Sequence, residues 1–157
     1  MRLLVLVFAA AALTVGPAQA TRSTCTHATA RAAIASTNLR MKLLGDSPTR
    51  VDPNSADQIL CYDFTRDGRR DLAVTIASGG TAGDIGFAVF RGTRAGWRVV
   101  LAMGGYKLGL ARVGGDLVSS QPVYRKNDPN CCPTGGFDHR RYHWNGVRFV
   151  VARSWHT

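Results

Sequence analysis

The chain reads as an α+β protein, mainly β: an antiparallel meander of about six to eight strands packed by one N-terminal helix and stapled by disulfides. Three observations predict this. Runs rich in β-branched and aromatic residues follow one another beyond residue 58, and turn dipeptides separate several of them. No helical pattern lies between these runs, and a parallel crossover would need a dozen or more residues. Four cysteines, an even number, follow a leader-like N-terminus, and an exported chain meets an oxidising compartment.

The leader comes first in the chain. Arg2 supplies the positive start, Leu3 to Val15 the apolar run and Ala18-Gln19-Ala20 the small-x-small cleavage signal. A membrane span needs about 20 continuous apolar residues; this run is shorter and ends at Gly16 and Pro17. Residues 1–20 are therefore expected to be a signal peptide and 21–157 one exported domain, with no transmembrane segment left after cleavage. Cys25 follows Arg22, Ser23 and Thr24, which is no lipobox, so a lipid anchor is not expected.

Thr26 to Thr37 is alanine-rich, lacks Gly and Pro, and starts where Thr24 or Thr26 can cap a first turn; it predicts the helix. Leu39 to Leu44 extends it irregularly until Gly45, Pro48, Pro53 and Asn54 break the pattern. Strands are expected at 59–64, 71–77, 85–91, 97–102, 107–113, 117–125, 137–144 and 147–153. Asp67-Gly68, Ala95-Gly96, Gly114-Gly115 and Asn145-Gly146 mark reversals between them. Alternation puts Leu72, Val74 and Ile76 on one side of a strand, as it does Trp97, Val99 and Leu101, and Val147, Phe149 and Val151. Those sides should face the core and helix.

Cys25, Cys61, Cys131 and Cys132 permit three pairings. Neighbours on an extended chain point to opposite sides, so the favoured pairing joins Cys25 and Cys61 each to one member of the doublet. The alternative joins Cys25 to Cys61 and leaves the doublet vicinal or free.

Charge narrows the function. Lys and Arg number 20, all ten acids are Asp, and no Glu occurs, so chemistry that needs a glutamate is excluded. Loss of Arg2 with the leader leaves 19 cations against ten acids, a net charge of +9. Such a field attracts polyanions, including anionic envelope polymers, lipid headgroups and nucleic acid, or a protein partner, in a salt-sensitive way; the plain alternative is a solvated basic surface. The arginines are scattered in ones and twos rather than gathered in a run, which predicts no specific nucleic-acid partner. No nucleophile elbow, phosphate loop or dinucleotide fingerprint is present. Ser78 to Asp84 is Gly-rich but lacks the lysine and leads into a strand. A non-enzymatic binding module is the expectation.

Asp63-Phe64-Thr65-Arg66-Asp67-Gly68-Arg69-Arg70-Asp71 is the sharpest local signal. Oxygen side chains stand at loop positions one, three, five and nine around a glycine at six, a spacing that wraps a hard cation. The segment resembles the cation loop of FG-GAP and VCBS repeats, though it occurs once rather than repeated. The resemblance implies calcium held by Asp63, Thr65, Asp67 and Asp71 with the carbonyl of Arg69, in a hairpin that an enzyme or inhibitor could use. The plain alternative is a turn whose Asp side chains accept backbone N–H groups.

Residues 127–136, with Cys131-Cys132-Pro133 between Asp128-Pro129-Asn130 and Thr134-Gly135, precede an aromatic strand and Trp144-Asn145-Gly146-x-x-Phe149. This stretch resembles the C-terminal part of LppP/LprE-type exported lipoproteins, which implies an envelope or secreted location and no particular activity. Zinc on Cys131, Cys132, His139 and His143 is not expected: on a strand, residues four apart lie about 13 Å apart. Tyr106, Tyr124, Tyr142, Trp144 and Trp155 could form a ligand face with the arginines, but core packing of Tyr142 and Trp144 explains that strand as well.

Overall fold

The computed structural model describes residues 25–157; the expected leader and its expected cleavage site lie outside them. The fold is the mainly β, antiparallel one expected, with a single α-helix among the described residues.

The helix, α1 (His27–Ser36), is capped by Thr26, whose Oγ1 accepts the N–H of Thr29 at 3.1 Å. It stops where Asn38 turns left-handed, at φ 47°. Leu39 to Leu44 does not extend it: β1 (Arg40–Met41) pairs with β2 (Thr49–Arg50) in a two-stranded ribbon, and a 3₁₀ turn at Pro53–Ser55 follows. Two-residue strands carry too little alternation to be read from a sequence.

β3 (Ala56–Tyr62), β4 (Asp71–Ala77), β5 (Asp84–Thr93) and β6 (Gly96–Gly104) form one four-stranded meander, and β7 (Gly109–Val113), β8 (Asp116–Pro122), β9 (Phe137–Trp144) and β10 (Phe149–His156) form a second. Every pairing is between neighbours in the chain and antiparallel. The expected reversals occur, with adjusted lengths. Gly114-Gly115 makes the two-residue turn as read, whereas Arg94 and Ala95 turn before Gly96, and the Asp67-Gly68 reversal occupies all of 63–70.

The layers are helix, first sheet, second sheet. Ala30, Ala33 and Ile34 of α1 pack on Leu72, Val74, Ile76, Ala88 and Phe90, the face the alternation assigned to the helix. From the other face of the same strands, Ala73, Phe87 and Val89 meet Leu110, Leu117, Tyr142, Trp144 and Phe149 of the second sheet. β4 and β5 are thus covered on both faces and buried along most of their lengths.

Two alternation readings need correction. In β6 the ladder shifts between Phe90↔Val99 and Val89↔Leu101, so Trp97 and Val99 pack toward the helix while Leu101 packs toward the second sheet. A bulge inserts one residue and reverses the side of everything beyond it. In β10, Phe149 is buried but Val147 and Val151 are exposed. Val147 belongs to the turn, where its N–H is accepted by Asn145 Oδ1, and β10 lies at the sheet edge.

The favoured cysteine pairing is also corrected. Cys25 bonds Cys61, with Cα atoms 6.1 Å apart, and Cys131 bonds Cys132. Cys25 sits just ahead of α1, which packs against β3, and Cys61 lies on β3. The doublet is not on an extended strand: Cys132 N–H closes a turn on the carbonyl of Pro129 at 2.9 Å, so the opposed side-chain directions of a strand do not apply.

Candidate anion-binding groove

The 63–70 loop is built on its own aspartates. Asp63 accepts the N–H groups of Asp67 at 3.0 Å and Gly68 at 2.8 Å, and Asp67 accepts that of Arg69 at 3.0 Å. Asp71, fully buried, accepts Thr65 N–H at 2.7 Å with one oxygen and Gly92 N–H at 3.1 Å with the other, tying the loop to the end of β5. Burial pushes the Asp71 carboxyl above its ordinary range, against the pull of those two N–H donors. Thr65 Oγ1 is buried without a hydrogen-bond partner.

The loop therefore brings Asp63, Thr65, Asp67, Arg69 and Asp71 into one turn, but not into a coordination sphere. The carboxylates are committed to backbone donors, and no three His, Cys or Asp side chains among the described residues gather where one metal ion could sit.

What the loop does present is basic. Arg66 takes a left-handed backbone (φ 56°), unusual for a residue with a side chain, and its guanidinium reaches to 3.9 Å from Asp116. Asp116, the first residue of β8, is the hub: Arg141 Nε donates to one oxygen at 2.7 Å and His143 Nδ1 lies 2.8 Å from the other. Burial acts to raise the Asp116 carboxyl, yet the His143 and Arg141 hydrogen bonds outweigh it and hold it below the usual carboxylate range. An ionised carboxylate can only accept, so His143 carries a proton on Nδ1 and directs Nε2 away from Asp116. Arg91 is held likewise, Nε on Asp67 Oδ2 at 2.9 Å and the guanidinium 5.8 Å from the centre of the Trp144 ring.

Arg66, Asp67, Arg91, His143 and Trp144 line one groove of about 510 Å³ between the 63–70 loop and the β9–β10 turn, with Thr65 and Asn145 also on its wall. Asn145 Oδ1 accepts from Val147 and Arg148 N–H, which leaves its NH₂ as the outward group. Guanidinium and amide donors thus converge, and the carboxylate on the wall, Asp67, already serves Arg91. Such a wall suits an oxyanion.

Sequence reasoning reached the loop but missed Arg91, Asp116, Arg141 and His143 as its partners. They lie 24 to 27 residues from the groups they bond, and nothing local marks them. The proposed aromatic face is dispersed. Tyr142 and Trp144 are in the core, Tyr106 and Tyr124 form an edge-on pair at 5.7 Å, and Trp155 stacks on His139 at 4.9 Å. No helix among the described residues is long and apolar enough to cross a membrane. The chain matches no family model, no curated protein and no solved structure.

Proposed function

We propose that this chain is an exported, envelope-associated binding module, non-enzymatic, that holds an anionic envelope polymer or an acidic protein partner through its basic surface. One observation carries the reading: Arg66 and Arg91 line a single groove, and Arg91 is held in place by the Asp67 carboxylate on the same wall. Preorganised donors of this kind bind without first ordering their side chains. The net charge supplies long-range attraction. The leader and the resemblance of the Cys131-Cys132 region to LppP/LprE-type lipoproteins support the location.

The test is binding of the mature chain to polyphosphate and to polyglutamate, titrated between low and moderate salt. Affinity should fall steeply with salt, and Arg66→Gln with Arg91→Gln should weaken it about a hundredfold or more while leaving the fold intact, each charge-assisted contact being worth roughly 1.5–3 kcal/mol. Salt-insensitive binding, or an unchanged affinity in the double variant, would overturn the reading.

An enzyme or inhibitor working through a calcium-loaded 63–71 loop is the alternative, and the buried, unpartnered Thr65 hydroxyl favours it. It requires Asp67 to release Arg91 and the loop amides to release their carboxylates. Calorimetry decides: calcium heat that grows in Arg91→Ala and vanishes in Thr65→Val would establish this reading, and no heat in any of them would remove it.

A further inference from the structure

A second groove opens on another part of the molecule, where β1 and the residues after it press on the end of β6. We propose that it binds a single-chain amphiphile with an anionic head group, such as an alkyl phosphate or a fatty acid.

Three cations, Arg40, Lys42 and Arg140, line this groove of about 700 Å³, and no carboxylate does. Arg40 spends one Nη2 contact on the carbonyl of Pro48 at 3.2 Å. Lys42 and Arg140 take part in none of the ion pairs among the described residues. Their charges are therefore uncompensated toward the groove, which suits an incoming anion.

Apart from Gln121 and Tyr106, the rest of the wall is apolar side chain or bare backbone. Leu43, Leu44 and Met103 contribute to it, and Leu44 is 59% exposed. The floor at Gly104 is bare backbone, because a Cβ there would lie 2.1 Å from the carbonyl oxygen of Lys42. Met103, Gly104 and Arg140 are shared with a narrower crevice of about 90 Å³ that runs inward to Phe87 and Tyr142 between the sheets. Ser119, Gln121 and Asp138 make that inner crevice polar, and the Asp138 carboxylate is engaged by His156 Nδ1 at 2.8 Å.

Three cations beside the apolar side chains of Met41, Leu43, Leu44 and Met103 select for a molecule with one charged end and one hydrocarbon end. A free phosphate would use the cations alone and leave the leucines exposed; an uncharged chain would leave Lys42 and Arg140 unpaired. This site is independent of the Arg66–Arg91 groove and does not rest on its assignment.

The test uses the mature chain with octyl, decyl and dodecyl phosphate below their micellar concentrations, with inorganic phosphate and dodecyl maltoside as comparisons, read by calorimetry. The Kd should tighten by about fourfold for each methylene until the groove is filled. Dodecyl maltoside should bind at least tenfold more weakly, and inorganic phosphate should give the same heat at millimolar concentration in Lys42→Gln with Arg140→Gln as in the parent chain. That double variant should cost dodecyl phosphate at least tenfold without altering binding of dodecyl maltoside. Leu44→Asp, exposed enough to fold normally, should weaken every alkyl ligand. Equal binding of inorganic phosphate, indifference to chain length, or an unchanged Kd in the double variant would overturn the proposal.

Discussion

At the scale of single residues, Asp71 and Asp116 carry opposite electrostatic burdens. Asp71 is buried and satisfied by two backbone N–H groups, so Asp71→Ala would strand both donors. A buried donor left unpaired costs about 1–3 kcal/mol, and urea unfolding should show a loss of about 2–4 kcal/mol. The pH dependence follows from the two shifts. Asp71 is raised, so the folded state holds its proton at pH values where the unfolded chain has lost it; acidification from its folded pKa toward 3.8 relieves a cost. Asp116 is lowered, so its contribution is complete above 3.8 and is lost as the pH falls through its folded pKa. Asp116→Asn should remove that loss of stability at acid pH while the gain from Asp71 on acidification persists. Unfolding midpoints measured between pH 6 and pH 2 will separate them, and an unchanged acid limb in Asp116→Asn would refute the assignment.

At the scale of elements, the loop that carries the doublet is clamped at its base and at its tip. Val123 and Gly136 exchange backbone bonds through Val123 N–H to Gly136 O and Gly135 N–H to Val123 O, both at 2.9 Å. At the tip, Asn130 is held by Tyr106, Lys107 and Tyr124. Gly136 has φ 82°, and a Cβ there would lie 2.0 Å from the carbonyl oxygen of Thr157, which accepts Phe137 N–H at the end of the β9–β10 pair. Gly136→Ala should therefore cost about 2 kcal/mol or more, combining left-handed strain with a backbone clash. Gly146 is the control: its φ is 95° but nothing lies within 4 Å of a new Cβ, so Gly146→Ala should cost only the conformational part, about 1 kcal/mol. Thermal unfolding of the two variants will rank them, and equal losses would contradict the clash.

At the scale of the whole molecule, stability rests on two apolar layers and one cross-link between distant segments. The Cys25–Cys61 bond spans 36 residues and joins the start of α1 to β3. Closing a loop of that length restricts the unfolded chain by about 4 kcal/mol in the chain-entropy model. The vicinal bond, between neighbours one apart, closes no such loop. Cys25→Ser with Cys61→Ser should thus lower the melting temperature strongly, whereas Cys131→Ser with Cys132→Ser should leave it within a few degrees. The reverse ranking would show that the doublet is the structural staple after all. The three-layer arrangement also explains why β4 and β5 are buried on both faces: each contributes alternate side chains to a different core.

The sequence by itself determined the class of fold, the antiparallel neighbour pairing, the capped helix and its apolar seat on Leu72, Val74 and Ile76. These depend on local matters, namely turn chemistry, alternation and capping, that a few adjacent residues express. It also located the 63–71 loop and its aspartates. Only the tertiary structure decided the split into two sheets, the β6 bulge that turns Leu101 to the other face, the Cys25–Cys61 pairing, and the union of Arg66 and Arg91 with His143 and Asp116. Each of those joins residues far apart in the chain, and their adjacency follows from register and layer packing. A sequence carries that information only through the sum of many weak contacts, with no signature at any one position.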